Sequence, residues 1–248
     1  MGETLRGYNS LNAGLFFGGG ACLLRRAGAG WPAKRMTKGR GNMLRLWGRS
    51  NSINVQKAMW CVAELGLRCE RIDAGREFGR NKEEWFLKMN PNGLVPVIDD
   101  RGFILWESNA IVRYLAETYD QGGLCPDDPK LRGQAGQWMD WASFSLGGPM
   151  TTVFWQLIRT PDEQRDRAAL DKAAESCRGF YALLDRHLQG RDYMLGERLT
   201  MADIPVGAFT HRWYALDVPH GDFPALRAWY EKLRQRDGFK AHVMLPLS

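Results

Sequence analysis

The chain has 248 residues, 44% of them apolar and 11% aromatic, enough for one large or two small domains with a substantial core. No run approaches the roughly 20 consecutive apolar residues that span a bilayer, so a soluble protein without a membrane partner is expected. The formal charge of +6 lies wholly in residues 1–42, where Arg6, Arg25, Arg26, Lys34, Arg35, Lys38 and Arg40 face only Glu3; the balanced remainder argues against a nucleic-acid partner.

The five cysteines, Cys22, Cys61, Cys69, Cys125 and Cys177, form no C-x-x-C. That spacing argues against a disulfide framework and against a bound metal, and reduced thiols in the cytoplasm are expected. Residues 1–42 hold 10 of the 28 glycines. Leu15-Phe16-Phe17 is cut short by Gly18-Gly19-Gly20, which is not the apolar core of a signal peptide. A disordered extension, or an upstream start, is expected before a fold that opens at Met43.

From there Leu44-Arg45-Leu46-Trp47 predicts a strand ended by Gly48. Ser50-Asn51-Ser52 offers N-caps for a helix from Ile53 to Leu65, whose apolar residues recur at helical spacing up to Gly66. Cys69–Ile72 predicts a second strand and Trp85–Met89 a short helix. Asn90-Pro91-Asn92-Gly93 is a turn, followed by a strand over 94–98, a tight turn over 99–102 and a strand over 103–105. A helix opens at Glu107-Ser108. This β-α-β-α-β-β-α order suits a small thioredoxin-like module over 43–120. Residues 121–129 predict a linker, and 130–248 an all-helical domain with helices over 130–146, 162–188, 202–215 and 224–236. Thr200 and Asp203 are spaced as a capping box for the third of these.

Three places in the small module invite chemistry. Pro96 within an apolar strand implies an edge or a special geometry. A cis peptide there would turn the main-chain groups of Val95 toward a cleft, whereas an ordinary edge proline would not. Glu107-Ser108 suits either a cap or an anion site at a helix head. Ser52 is an N-cap that could also donate to a thiolate in the positive field of the helix end. No histidine stands near to act as its base: all four lie between positions 187 and 242.

The runs Ser50–Lys57, Asn90–Pro96 and Leu105–Ile111, with Leu199–Ile204, resemble the cytosolic glutathione transferases. Asp73–Gly79 and Trp138–Ala142 are similar to the bacterial transferase-B type. The resemblance spans about 205 residues from Met43 and implies a thioredoxin-like α/β N-terminal domain, an all-α C-terminal domain and a homodimer. It implies glutathione as co-substrate, with Val95 on the cysteinyl backbone, Pro96 cis, and Glu107 and Ser108 at the γ-glutamyl end. Ser52 falls at the thiol-activating position, with Ser50 and Asn54 near enough to compete. Leu94 stands where many members carry Lys or Gln, so Asn92 or Asn54 is expected to meet the glycyl carboxylate. The electrophile is expected near Asn51, Trp141, Phe144 and Trp155, although the three aromatic residues equally suit helix packing. Conjugation of glutathione to small electrophiles is the expected activity. The rivals are a glutathione-dependent disulfide or peroxide reductase and a non-catalytic binding protein on the same fold.

Overall fold

A computed structural model describes residues 43–248; the expectation for residues 1–42 lies outside them. Leu44–Trp47 (β1) pairs in parallel with Cys69–Ile72 (β2) through the crossover helix Ile53–Glu64 (α1). Past β2, Glu84–Met89 (α2) leads back into the sheet. On its other edge β1 pairs antiparallel with Val97–Asp100 (β3), which pairs antiparallel with Phe103–Trp106 (β4), in the order β2-β1-β3-β4. Strand alternation sends Leu46 and Ile98 into the main core, with α1 and Ser108–Tyr119 (α3). The same alternation sends Trp47 and Val97 to the opposite face, against Phe86 of α2.

The third strand starts three residues later than its apolar run suggests. Pro96 has no N–H for a ladder and the Val95–Pro96 peptide is cis, so pairing begins only at Val97. At its far end Asp99, expected in a turn, is drawn into the strand by Arg45, whose Nη2 lies 2.5 Å from Asp99 Oδ2. The turn narrows to Arg101-Gly102, both with positive φ.

The helical part begins with Pro129–Trp141 (α4), capped by Asp128, whose carboxylate accepts from Lys130 N at 2.9 Å. Gly147-Gly148-Pro149 reads as a breaker, yet the helix continues. A wide π-turn over Ala142–Leu146 runs into Gly147–Phe154 (α5), and a second spans Trp155–Arg159. Such widened turns absorb a proline within a helix and recur at functional sites. The rod ends where Thr160, extended, precedes Pro161. Arg167–Leu188 (α6) starts at its Asp166 cap rather than at 162. Asp203–Ala215 (α7), Pro224–Gln235 (α8) and a short helix absent from the expectations, Asp237–His242 (α9), complete the chain.

Helix α7 is anchored by Asp203, which is fully buried. Only one half of the expected capping box forms: the carboxylate accepts from Thr200 N at 2.8 Å and Thr200 Oγ1 at 3.2 Å. It also accepts from Met194 N and Trp229 Nε1, both at 2.9 Å. Burial nevertheless pushes this carboxyl up to about 6. Further along α7, a Cβ on Gly207 would lie 3.0 Å from Trp60 ring atoms of α1, so glycine permits that crossing.

Replacing Asp203 with Asn would aim an N–H at groups that are themselves donors. Asp203→Asn is expected to lose about 3–5 kcal/mol of stability, read as a lower urea midpoint at unchanged slope. A loss below about 1 kcal/mol would mean the carboxylate does not anchor α7.

Candidate active site

The heads of α1 and α3 meet. Ser108 Oγ donates to Asn54 Oδ1 at 3.3 Å, and Lys57 Nζ donates to the same oxygen at 3.1 Å. Two helix N-termini therefore open on one place, each contributing positive potential and unpaired amides. Val95 lies beside them. A Cβ on Gly48 would be 2.4 Å from Val55 Cγ2 and 3.4 Å from Val95 Cβ, so only glycine lets the end of β1 sit between α1 and the cis peptide. Among the described residues no hydrogen bond reaches the N–H or C=O of Val95. Glu107, the residue before α3, has φ 71° and ψ 114°. That region costs a non-glycine residue about 1–3 kcal/mol and is concentrated at functional sites.

Ser52 sits at the N-cap of α1 and is 7% exposed. Its backbone carbonyl starts the helix, accepting from Gln56 N at 2.9 Å, but its hydroxyl forms no cap bond. The expected site residues divide from here. Ser52, Asn54, Val95, Pro96, Glu107 and Ser108 belong to this meeting of elements. Ser50 lines a separate groove with Met59, His242 and Leu245. Asn92 is exposed in its turn, with Nδ2 on Asn90 Oδ1 at 3.2 Å. Asn51 reaches the C-terminal segment, donating to Ser248 Oγ at 2.8 Å.

A cleft of about 460 Å³ lies between the two helix heads and the helical part, lined by Asn54, Lys57, Glu107, Ser108, Thr151 and Phe209 among others. Small residues of the long rod, Ser143, Gly147 and Gly148, form its far wall. Trp141 packs instead on Trp138 and Phe180, with ring centroids 5.3 and 5.8 Å away. Phe144 is 87% exposed, and Trp155 lies under the Arg76 guanidinium at 5.2 Å.

Sequence reasoning passed over Lys57. It is 2% exposed on α1, with Nζ 4.5 Å from the centre of the Phe209 ring. Burial brings its ammonium down to about 7; Arg212 pushes the same way and Glu107 opposes. The signal was there: a lysine, beside Gln56, inside the mostly apolar run Val55–Val62. Among the described residues the thiols offer no rival nucleophile. Cys61, Cys69 and Cys177 are all pushed up, chiefly by burial, Cys69 to about 11, which disfavours thiolates. Among the described residues no three His, Cys, Asp or Glu could hold a metal ion, and no helix is long and apolar enough to cross a membrane.

Residues 42–117 match the N-terminal domain of the glutathione S-transferase family and residues 148–237 its C-terminal domain. The chain is 43% identical over 208 residues to glutathione S-transferase GstB of Escherichia coli K12, with 83% of this chain and all of that one covered. A Drosophila melanogaster glutathione S-transferase is 29% identical over 193 residues, 77% of this chain and 86% of its own length. Among solved structures, the chain is similar to a theta class glutathione S-transferase of Xanthomonas axonopodis pv. citri with glutathione bound. The TM-score is 0.80 at 39% identity, covering 83% of this chain and 99% of that one.

The buried ammonium has a testable signature. With Lys57 near 7 in the folded protein and near 10.5 when unfolded, the unfolded state binds the extra proton between those values, so stability rises with pH across that window. Lys57→Met removes this dependence. The variant is expected to be more stable than wild type below pH 7, by several kcal/mol, with the gap closing toward pH 10 in denaturant titrations. A gap that stays constant with pH would mean Lys57 keeps its ordinary proton affinity.

Proposed function

The chain belongs to the glutathione S-transferase family, and from that premise we propose that it transfers the thiolate of glutathione to small electrophilic carbons. The observation that carries this reading is the meeting of two helix heads, one opening on Ser52 without a side-chain cap bond, beside the unpaired main chain of Val95 at the end of β1. In this proposal residues 43–120 form the glutathione-binding domain and residues 130–248 supply the facing wall. Val95 pairs with the cysteinyl backbone. Ser108 and the amides of α3 hold the γ-glutamyl carboxylate, and Glu107 takes the ammonium. Asn92 or Asn54 meets the glycyl end.

The cysteinyl sulfur then lies at the head of α1. Lowering a thiol pKa by about two units requires about 2.7 kcal/mol of selective stabilisation. One helix terminus supplies about 0.3–1 kcal/mol, and a hydrogen bond to a charged group about 1.5–3 kcal/mol, so the Ser52 hydroxyl is the larger contributor. The thiol proton leaves to solvent. The thiolate attacks carbon, a C–S bond forms, and where a halide departs it carries away the electron pair of the broken bond. No protein thiol takes part. We also propose a cytoplasmic homodimer, on the strength of family membership.

Glutathione binding by calorimetry, with haloarene conjugation followed alongside, tests the roles. Ser52→Ala is expected to bind glutathione within about threefold of wild type and to lose about a hundredfold in kcat. The thiolate ultraviolet absorbance of the complex is expected to titrate at higher pH. If both binding and turnover survive, the thiolate role passes to Asn54 or Ser50. Failure of wild type to bind glutathione would overturn the transferase reading.

A further inference from the structure

Four arginines from four separate elements converge beside the α1 head. Arg49 lies in the loop from β1, and Arg76 in the turn after β2 with φ 51°. Arg159 ends the long rod and Arg212 lies on α7. A Cβ on Gly75 would lie 3.2 Å from Arg49 Nη1 and 3.5 Å from Val95 Cγ1, which places this guanidinium next to the cis peptide. Arg212 follows Phe209, the ring beneath Lys57 Nζ, by three residues on α7, and it shares the Phe154 ring with Arg159, at 4.1 and 5.5 Å. The cations depress one another: Arg76 and Arg159 act on Arg49, and Arg159 and Arg49 on Arg212.

Arg212 is only 7% exposed, yet no hydrogen bond or ion pair within the described residues reaches it, and its Nε is buried without a partner. Arg49 and Arg159 also bury an unpartnered Nε. Arg159 donates to the Ser248 carbonyl, and the field of Glu77 touches Arg49 and Arg159 without forming an ion pair with either. Aromatic rings fill the space between. Phe154 lies 4.1 Å from the Arg212 guanidinium, and Trp155, 49% exposed, lies under Arg76. A ring contact returns only part of what burying an unpaired cation costs, so the arrangement is incomplete without an anion.

We infer that Arg49, Arg76, Arg159 and Arg212 form a receptor for the carboxylate of the second substrate, with Trp155 as platform for its ring: the preferred electrophile is an aromatic acid. The inference rests on the transferase reading and deepens it. The glycyl carboxylate of glutathione is the other anion at hand, but it brings no ring to the exposed face of Trp155.

A chlorodinitrobenzoate and its methyl ester share ring and leaving group and differ by one charge. Wild type is expected to favour the acid in kcat/KM. Arg159→Gln and the surface-exposed Arg76→Gln should cut the acid-to-ester ratio about tenfold each, and Arg212→Gln by more if it folds. The KM for glutathione should stay within about twofold. Calorimetric binding of dinitrobenzoate, which lacks a leaving group, to the S-methylglutathione complex should weaken in parallel. An unchanged ratio, or a rise confined to the KM for glutathione, would overturn the inference while leaving the transferase reading intact. Arginine-dependent binding of dinitrobenzoate without turnover of either electrophile would overturn the transferase reading and leave only a site for an aromatic acid.

Discussion

Helix α1 has almost no solvent face over its middle two turns. Val55 through Val62 are all buried, because the helix is pressed between the sheet, α3, α7 and α9. Two close approaches hold it there. Gly48 admits Val55 against the end of β1, and Gly207 admits Trp60 against α7. At the far end Arg236 grips Glu64 through two hydrogen bonds, one of 2.8 Å, and Phe239 of α9 meets the Trp60 ring edge-on at 4.7 Å. A helix fixed on every side can present its first turn with little freedom. That is what a site needing one hydroxyl and a few amides in register requires.

The same burial sets the electrostatics. The described part of the chain carries equal numbers of acidic and basic residues, so no overall field favours an anion. The potential at the cleft is local, built from two helix heads and Lys57, with the four arginines grouped beside the α1 head. Inside a low-dielectric wall such groups act more strongly than at the surface. Two acids oppose these cations: Glu107 acts on Lys57, and Glu77 on Arg49 and Arg159. A cationic, partly desolvated pocket favours a thiolate over a thiol, and under the proposal above it would also select among second substrates.

Local signals made much of this legible. Ser52, Val95-Pro96 and Glu107-Ser108 each carry a short-range signature of cap, edge proline or helix head, and the fold brings all three together. The late start of β3 followed from a ladder donor that Pro96 lacks. Helix α5 escaped notice because Gly147-Gly148-Pro149 is a breaker by propensity, whereas the widened turn and burial of Leu146, Met150 and Val153 override it. The arginine cluster had no sequence signature at all. Positions 49, 76, 159 and 212 are spaced by nothing but the tertiary fold, and each alone reads as a solvated surface charge.

Several irregularities lie near the heads of α1 and α3. Ser52 forgoes the side-chain cap bond usual at its position, Glu107 and Arg76 adopt positive φ, and Lys57 and Arg212 bury charge without an ion-pair partner. Each lowers stability by about 1 kcal/mol or more. The buried carboxylate of Asp203, by contrast, is fully answered by four donors. Where unanswered groups gather beside one cleft, their unmet demands point to what enters there. A hydroxyl without a partner, an unpaired stretch of main chain and unpaired cations would be answered together by the peptide thiol and acidic aromatic partner proposed above.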